Sequence, residues 1–346
     1  MINTRKRGEQ IRQFILDKVE HHPEDVVRLT AQTFGISRQA VNKHIQRLIQ
    51  QKALRVQGST RNRRYLLRPL EEWEHIYPLD EGLAEDRVWR SDIAPFVSTL
   101  PDNLIDIWHY GFTEILNNAI DHSSGTRVHV QITKTALNTK IAVYDNGEGI
   151  FKKIQRELGL HDERHSVLEL AKGKLTTDPQ NHTGEGIFFS SRMFDDFAIL
   201  SGNVYFSHNF EEVEDWIFEQ QGFQSGTAVF MEIANKTSRT TKQVFDAFTT
   251  DDDYGFTKTV VPVRLAQYGD DKLVSRSQAK RLLARIDKFK TVILDFDAVE
   301  TIGQAFADEI FRVFNHHHPE TELTYIKANQ NVQHMIKWAT GRVEGS

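Results

Sequence analysis

The sequence predicts a multidomain α+β protein, and three observations predict it. Charge is unevenly divided: residues 1–68 hold 15 Lys and Arg against 5 Asp and Glu, a net of +10, leaving −15 on the remainder of a 346-residue chain whose total is −5. The apolar period changes along the chain, from helical in the basic head, through helix and alternating strands in the middle, to strand–helix alternation at the end. Three polar segments, Glu114 to His122, Asp145 to Ile150 and Thr183 to Ile187, interrupt the middle part. A chain of this length accommodates two or three domains.

In the head, apolar spacing predicts helices over Arg5–Val19 and Asp25–Phe34, a turn at Gly35, and a third helix capped by Ser37 with Val41, Ile45 and Leu48 inward. Short strands at Ala53–Val56 and Arg64–Leu67 flank the polar loop 57–63. Together, residues 1–68 resemble a winged helix-turn-helix domain, with Leu29–Val41 as its two-helix core. That resemblance implies DNA as partner. Arg38, Gln39, Asn42, Lys43 and Arg47 would meet a major groove, and Arg61, Arg63 and Arg64 of the wing would meet phosphate. Winged helices also serve as protein docking modules, but charge concentrated in both the reading helix and the wing favours DNA. Paired half-sites imply a homodimer.

In the middle, Glu114, Asn118 and Asp121 at i, i+4 and i+7 share a helix face, with Leu116, Ala119 and Ile120 opposite. Val128, Val130 and Ile132 alternate with Arg127, His129 and Gln131 in a strand over Thr126–Thr133, and a second strand, Ile141–Tyr144, ends at Asp145. Gly147 and Gly149 follow that carboxylate, leaving room for a flat ring. Gly184 and Gly186 precede an apolar helical run, Ile187–Phe197, whose first N–H groups suit an anion. Alone, each segment has a bland reading: a solvated face, a turn, a loop.

Their order resembles the ATP-binding Bergerat fold of the GHKL superfamily, which includes gyrase, mismatch-repair ATPases, histidine kinases and anti-sigma-factor serine kinases. Ser225–Ile233 adds a late Gly-Thr strand, and the resemblance spans residues 101–235. It implies ATP and magnesium as cofactors. Asn118 would ligate the metal, Glu114 would polarise the attacking water or hydroxyl, Asp145 would accept the adenine amino group, Gly149 would lie against the ring, and Thr227 would support a bridging water. Gly184 and Gly186 would offer N–H groups to phosphate, with Asp121, Gly147 and Thr183 completing the motifs. Between the glycine boxes, residues 151–182 would form a helix and a mobile lid, with Lys172 and Lys174 as phosphate contacts or simply solvated lysines. Phe188 stands where the family often has a further glycine, a departure that bears on lid closure and turnover.

Residues 69–100, with Trp73, Tyr77, Trp89 and Phe96 among acidic residues, read as a connector packing on the ATP-binding domain, the tryptophans as core. Residues 236–257 read as a linker with one short helix around Lys242–Phe248. From 258 to 346 a small α/β unit is predicted, with strands at Val260–Ala266, Thr291–Phe296 and Leu323–Lys327 and helices at Ser275–Asp287, Gln304–Phe314 and Val332–Ala339. Its run Val292–Asp308 resembles the STAS domains of anti-sigma-factor antagonists. Those carry a phosphorylatable serine where this chain has Gly303, Gln304 and Ala305, so the resemblance implies a unit for docking a protein partner or dimerising, with Thr301 the nearest hydroxyl.

The chain has no cysteine, which excludes disulfides and thiolate chemistry. His316-His-His318 reads as a solvated loop. No stretch approaches ~18 apolar residues and none follows Met1–Arg7 as a leader core, so no membrane contact and a cytoplasmic location are expected. Three functions fit: a nucleotide-gated DNA-binding transcriptional regulator with slow ATP hydrolysis, a serine/threonine kinase of the anti-sigma type, or an ATP-bound scaffold in a larger assembly.

Overall fold

The computed structural model of the chain describes residues 4–59, 62–175, 184–209, 216–219, 225–250, 255–267 and 272–341. Helices α1 (Thr4–Val19), α2 (Val26–Phe34) and α3 (Arg38–Gln50) enclose a core that includes Ile15, Val26, Val41 and Ile45. Gly35, at φ 62°, ends α2 in the left-handed conformation, and the Ser37 hydroxyl accepts the Ala40 N–H at 3.2 Å to start α3. Strands β1 (Leu54–Gln57) and β2 (Arg64–Leu67) pair antiparallel, with Leu54, Tyr65 and Leu67 closing the core.

The stretch expected as a connector is instead largely regular structure. β3 (Glu71–Pro78) is the edge strand of a seven-stranded sheet, paired antiparallel with its neighbour. α4 (Glu85–Val88), a π turn (Trp89–Ile93) and α5 (Ala94–Val97) then bury Trp89, Ile93 and Val97 in the main core. The Tyr77 hydroxyl donates to Asp92 at 2.6 Å, tying strand to helix. α6 (Asp102–His122) follows Pro101 and buries Leu104, Ile107, Trp108, Phe112 and Ile115, a stripe of helical period.

The sheet continues through β4 (Arg127–Lys134), β5 (Asn138–Asp145), β6 (Asp196–Ser201), β7 (Val204–Asn209), β8 (Trp216–Glu219) and β9 (Thr227–Ala234), in the order β3-β4-β5-β9-β6-β7-β8, every pair antiparallel. Between β5 and β6 lie α7 (Ile150–Leu158), α8 (Glu163–Lys172) and α9 (Gly186–Met193). The apolar run expected to be helical to Phe197 therefore breaks: Phe194 is extended, and Phe197 sits in β6. Residues of a two-sided core are apolar in either structure, so their period does not separate the two.

α10 (Thr241–Asp246) carries a Thr240–Gln243 capping box. The expected linker around it is packed: Phe245, Phe248 and Phe256 lie tilted or edge-on against Phe188 and Phe189. Beyond, β10 (Lys258–Pro262), β11 (Thr291–Asp295) and β12 (Glu322–Ile326) form a parallel sheet, accompanied by α11 (Arg276–Leu283), α12 (Gln304–Asp308), α13 (Asn315–His317) and α14 (Gln330–Ala339). Three expected elements are shorter. Pro262 ends β10 in a 3-10 turn at Val263–Ala266, a left-handed Arg285 stops the helix expected to Asp287, and the helix from Gln304 loosens into a π turn over Glu309–Phe314. Among the described residues no helix is long and apolar enough to cross a membrane.

Candidate functional site

A cavity of about 300 Å³ lies between α6, the ends of β5 and β9, and the glycine turns that open α7 and α9. That volume is at the lower end of the range for small-ligand pockets. At its inner end Asp145 is buried, and its Oδ1 accepts N–H groups from Gly147 at 2.8 Å and Thr227 at 3.3 Å. Antiparallel pairing of β5 with β9 brings Thr227 to Asp145, and the Thr227 hydroxyl accepts the Ile150 N–H at 3.0 Å. Burial raises the Asp145 pKa against the lowering effect of these N–H groups. Val143, Val229 and Ile154 supply apolar wall.

Gly149 and Gly226 carry positive φ, 92° and 85°, which a side chain would strain. A Cβ on Gly149 would come within 2.6 Å of the Ser201 hydroxyl, and one on Gly226 would overlap the Asp145 carbonyl. At the other end, Gly186 has no Cβ because the Glu114 carboxylate occupies that space, and Gly184 closes on Leu175, whose N–H donates to its carbonyl at 3.0 Å. Tyr110 stands near Glu114 and Glu185; burial first, and these charges second, raise its pKa.

Of the expected ligand residues, Glu114, Asn118, Asp145, Gly149, Gly184, Gly186 and Thr227 all line this cavity. Gly147 does not: it packs on Ser123 and donates its N–H to Asp145, both of which line the cavity. Asp121 is exposed and outside the lining. At about 100° per residue the cavity faces the direction of Ile115, Ala119 and His122, and Asp121 falls on the far side of Glu114. Lys172 and Lys174, expected at phosphate, do not line the cavity. Lys172 is buried against Glu169 and backbone carbonyls of the C-terminal unit, and the Lys174 ammonium donates to the Lys288 carbonyl at 3.0 Å. Thr183 lies outside the described residues, as do residues 176–182 of the expected lid. The lysine that does line the cavity is Lys153, whose ammonium donates to the His122 carbonyl at 2.8 Å. Sequence analysis missed Lys153 and His122; the second stands four residues after Asn118, a spacing that signals the same face.

On the head, Arg38, Gln39, Asn42, Lys43 and Arg47 are all exposed on α3, as are Arg63 and Arg64 on the hairpin. Arg64 pairs with Glu24 at 3.3 Å, and Arg61 lies outside the described residues. Head and body meet at one end of β5, where Asn138 and Lys140 donate to Glu20 at 3.3 and 3.1 Å.

Among protein families, a STAS-like domain of unknown function (DUF4325) matches residues 278–333. This span runs from α11 into α14, so the mixed α/β, multidomain chain ends in a STAS-like domain. No curated protein matches the chain in sequence.

Proposed function

We propose that the chain is a nucleotide-gated, DNA-binding transcriptional regulator: a winged helix-turn-helix head on a GHKL-type, Bergerat-fold ATP-binding body, working in the cytoplasm as a homodimer. One observation carries the nucleotide reading, the convergence of Glu114, Asn118, Asp145, Gly149, Gly184, Gly186 and Thr227 from four separate stretches of sequence on a single cavity. Asp145, oriented by Gly147 and Thr227, offers a carboxylate to an exocyclic amine, while Val143, Ile154 and Val229 flank a flat base. Asn118, which lines the cavity, would offer an amide oxygen to the metal–phosphate group. Among the described residues no group of three or more His, Cys, Asp or Glu could hold a metal, so magnesium would depend on Asn118, phosphate oxygens and water. When bound, the ion supplies neutralisation of phosphate charge. Glu114 lies against the glycine turn of α9 and would orient a water there.

DNA binding is supported by five polar or basic residues on the outer face of α3, with Arg63 and Arg64 on the adjacent hairpin. The two activities share a strand: β5 touches Glu20 of the head at Asn138 and Lys140, and ends at Asp145 in the cavity. Phosphotransfer to the STAS-like domain in cis has less support. A Cβ at Gly303 would lie 2.7 Å from the Val274 Cα, and the Gly303 N–H donates to the Leu273 carbonyl at 2.7 Å, so the turn that carries the acceptor serine in antagonists is closed by neighbouring backbone.

Incubation with γ-labelled ATP separates the readings. Free phosphate at a slow rate, lost in Glu114→Ala, is expected of the regulator. Label retained on protein would replace it with a kinase, and the absence of both with a scaffold.

A further inference from the structure

Lys172, expected at phosphate, belongs to a buried network that crosses from α8 to the STAS-like domain, and the half-exposed Lys174 lies at its edge. Lys172 is 1 % exposed, and its ammonium donates to Glu169 Oε1 at 2.7 Å and to the carbonyls of Arg281 and Ala284, each at 2.9 Å. Arg285 completes the set. Its Nη1 donates to Glu169 Oε2 at 2.9 Å, and its Nη2 donates to the Lys174 carbonyl. From β10, the Thr259 hydroxyl donates to the Lys172 carbonyl at 2.7 Å. Arg285 itself sits at φ 65°, a conformation a non-glycine residue adopts at a cost and keeps only when its surroundings hold it.

The backbone gripped in this way is a wall of the cavity. Leu170 and Leu175 line it, and Leu175 bonds to Gly184, so the Lys174 carbonyl held by Arg285 is one residue from the bond that sets the second glycine turn. Glu169 and the Lys174 carbonyl are two points on one short segment. A planar guanidinium engages both with N–H groups fixed in one plane, whereas the three donors of an ammonium rotate about its stem. We propose that Arg285, contributed by the STAS-like domain, is a positioning residue for the phosphate side of the nucleotide pocket, fixing residues 170–175 and, through Leu175, Gly184. This rests on the nucleotide reading above. The adenine side, Asp145, Gly149 and Thr227, bonds to none of these groups, so the effect of Arg285 belongs to the phosphate-dependent part of affinity alone.

The test uses the full chain with two variants, Arg285→Ala and Arg285→Lys, both checked for folding by circular dichroism. Binding of a non-hydrolysable ATP analogue with magnesium, and separately of adenosine, is measured by calorimetry, and amide exchange across residues 170–175 is followed without ligand. Arg285→Ala should weaken the analogue about tenfold, the scale of one lost charge-assisted hydrogen bond, and leave adenosine within about twofold. Exchange at 170–175 should accelerate. Arg285→Lys keeps the charge but not the fork and should fall between wild type and Arg285→Ala; if the alanine variant fails to fold, the lysine variant carries the test. Equal loss for analogue and adenosine, full recovery in Arg285→Lys, or unchanged exchange in the folded variants overturns the assignment. Wild-type protein that binds neither ligand overturns the nucleotide reading itself, which is distinct from variants that bind both as wild type does.

Discussion

At Asp145 two effects oppose each other. Burial disfavours the charged carboxylate, the N–H groups of Gly147 and Thr227 favour it, and burial prevails, so the pKa is raised above the ordinary 3.8. A raised acid takes up a proton on folding within the window between its ordinary and its folded value, so its contribution to stability falls as pH rises through that window. Binding has the opposite dependence, because an amine donor bonds more strongly to the ionised acceptor than to the protonated one. Adenosine affinity should fall on acidification before exposed carboxylates protonate, and Asp145→Asn should flatten the profile; an unaltered profile in that variant assigns the titration elsewhere. Asn118→Ala and Asp145→Ala should each weaken binding of the magnesium-bound ATP analogue at least ~100-fold, since each removes a polar partner inside a desolvated site. Calorimetry on folded variants decides it, and wild-type affinity in both would remove the pocket from the proposal.

Among the elements, the meeting of β5 and β9 sets the inner end of the cavity. Gly226 precedes β9 at positive φ against the Asp145 carbonyl, so Gly226→Ala combines backbone strain with a main-chain clash that no side-chain motion relieves. Thermal or urea unfolding should report a loss of at least ~2 kcal/mol. Gly186→Ala differs, because the nearest atoms to its Cβ belong to the Glu114 side chain, which can move. On the head, removing the charges of Arg38, Lys43, Arg47 and Arg63 should weaken duplex binding. It should also flatten the logarithmic salt dependence by roughly one unit per lost phosphate contact. An unchanged slope would make α3 a protein-docking surface. Arg64 should contribute less, because Glu24 already pairs with it.

For the whole molecule, gating requires that nucleotide change the affinity of a distant surface, and a ligand shifts only equilibria between states it binds unequally. The contacts of Glu20 with Asn138 and Lys140 provide the joint between head and body. A non-hydrolysable analogue should shift duplex affinity by about five- to a hundred-fold, the usual range of coupling between sites. Asn118→Ala should erase that shift and Glu20→Ala diminish it. Superimposable titrations of a fluorescent duplex with and without analogue would leave head and body uncoupled and favour the scaffold.

Local rules were enough to read the three helices and hairpin of the head, the last turns of α6, and the strand–turn boundaries at Asp145 and Thr227, because caps, glycines and apolar period act between residues close in sequence. They also named seven of the residues that line the cavity, since each motif carries its own spacing. What they could not supply was direction. Asp121 and His122 differ by one helical step, and only the packing of α6 on the sheet turns His122 inward and leaves Asp121 outside. The same limit hid the edge strand β3, whose acidic sequence becomes a strand by pairing with β4, and the start of β6, where the apolar run from Ile187 to Phe197 reads equally as helix. Lys172 and Lys174 show it most plainly. A lysine beside a glycine turn has a charge but no address, and here the address is the STAS-like domain, where backbone carbonyls more than 100 residues away in sequence hold both ammonium groups.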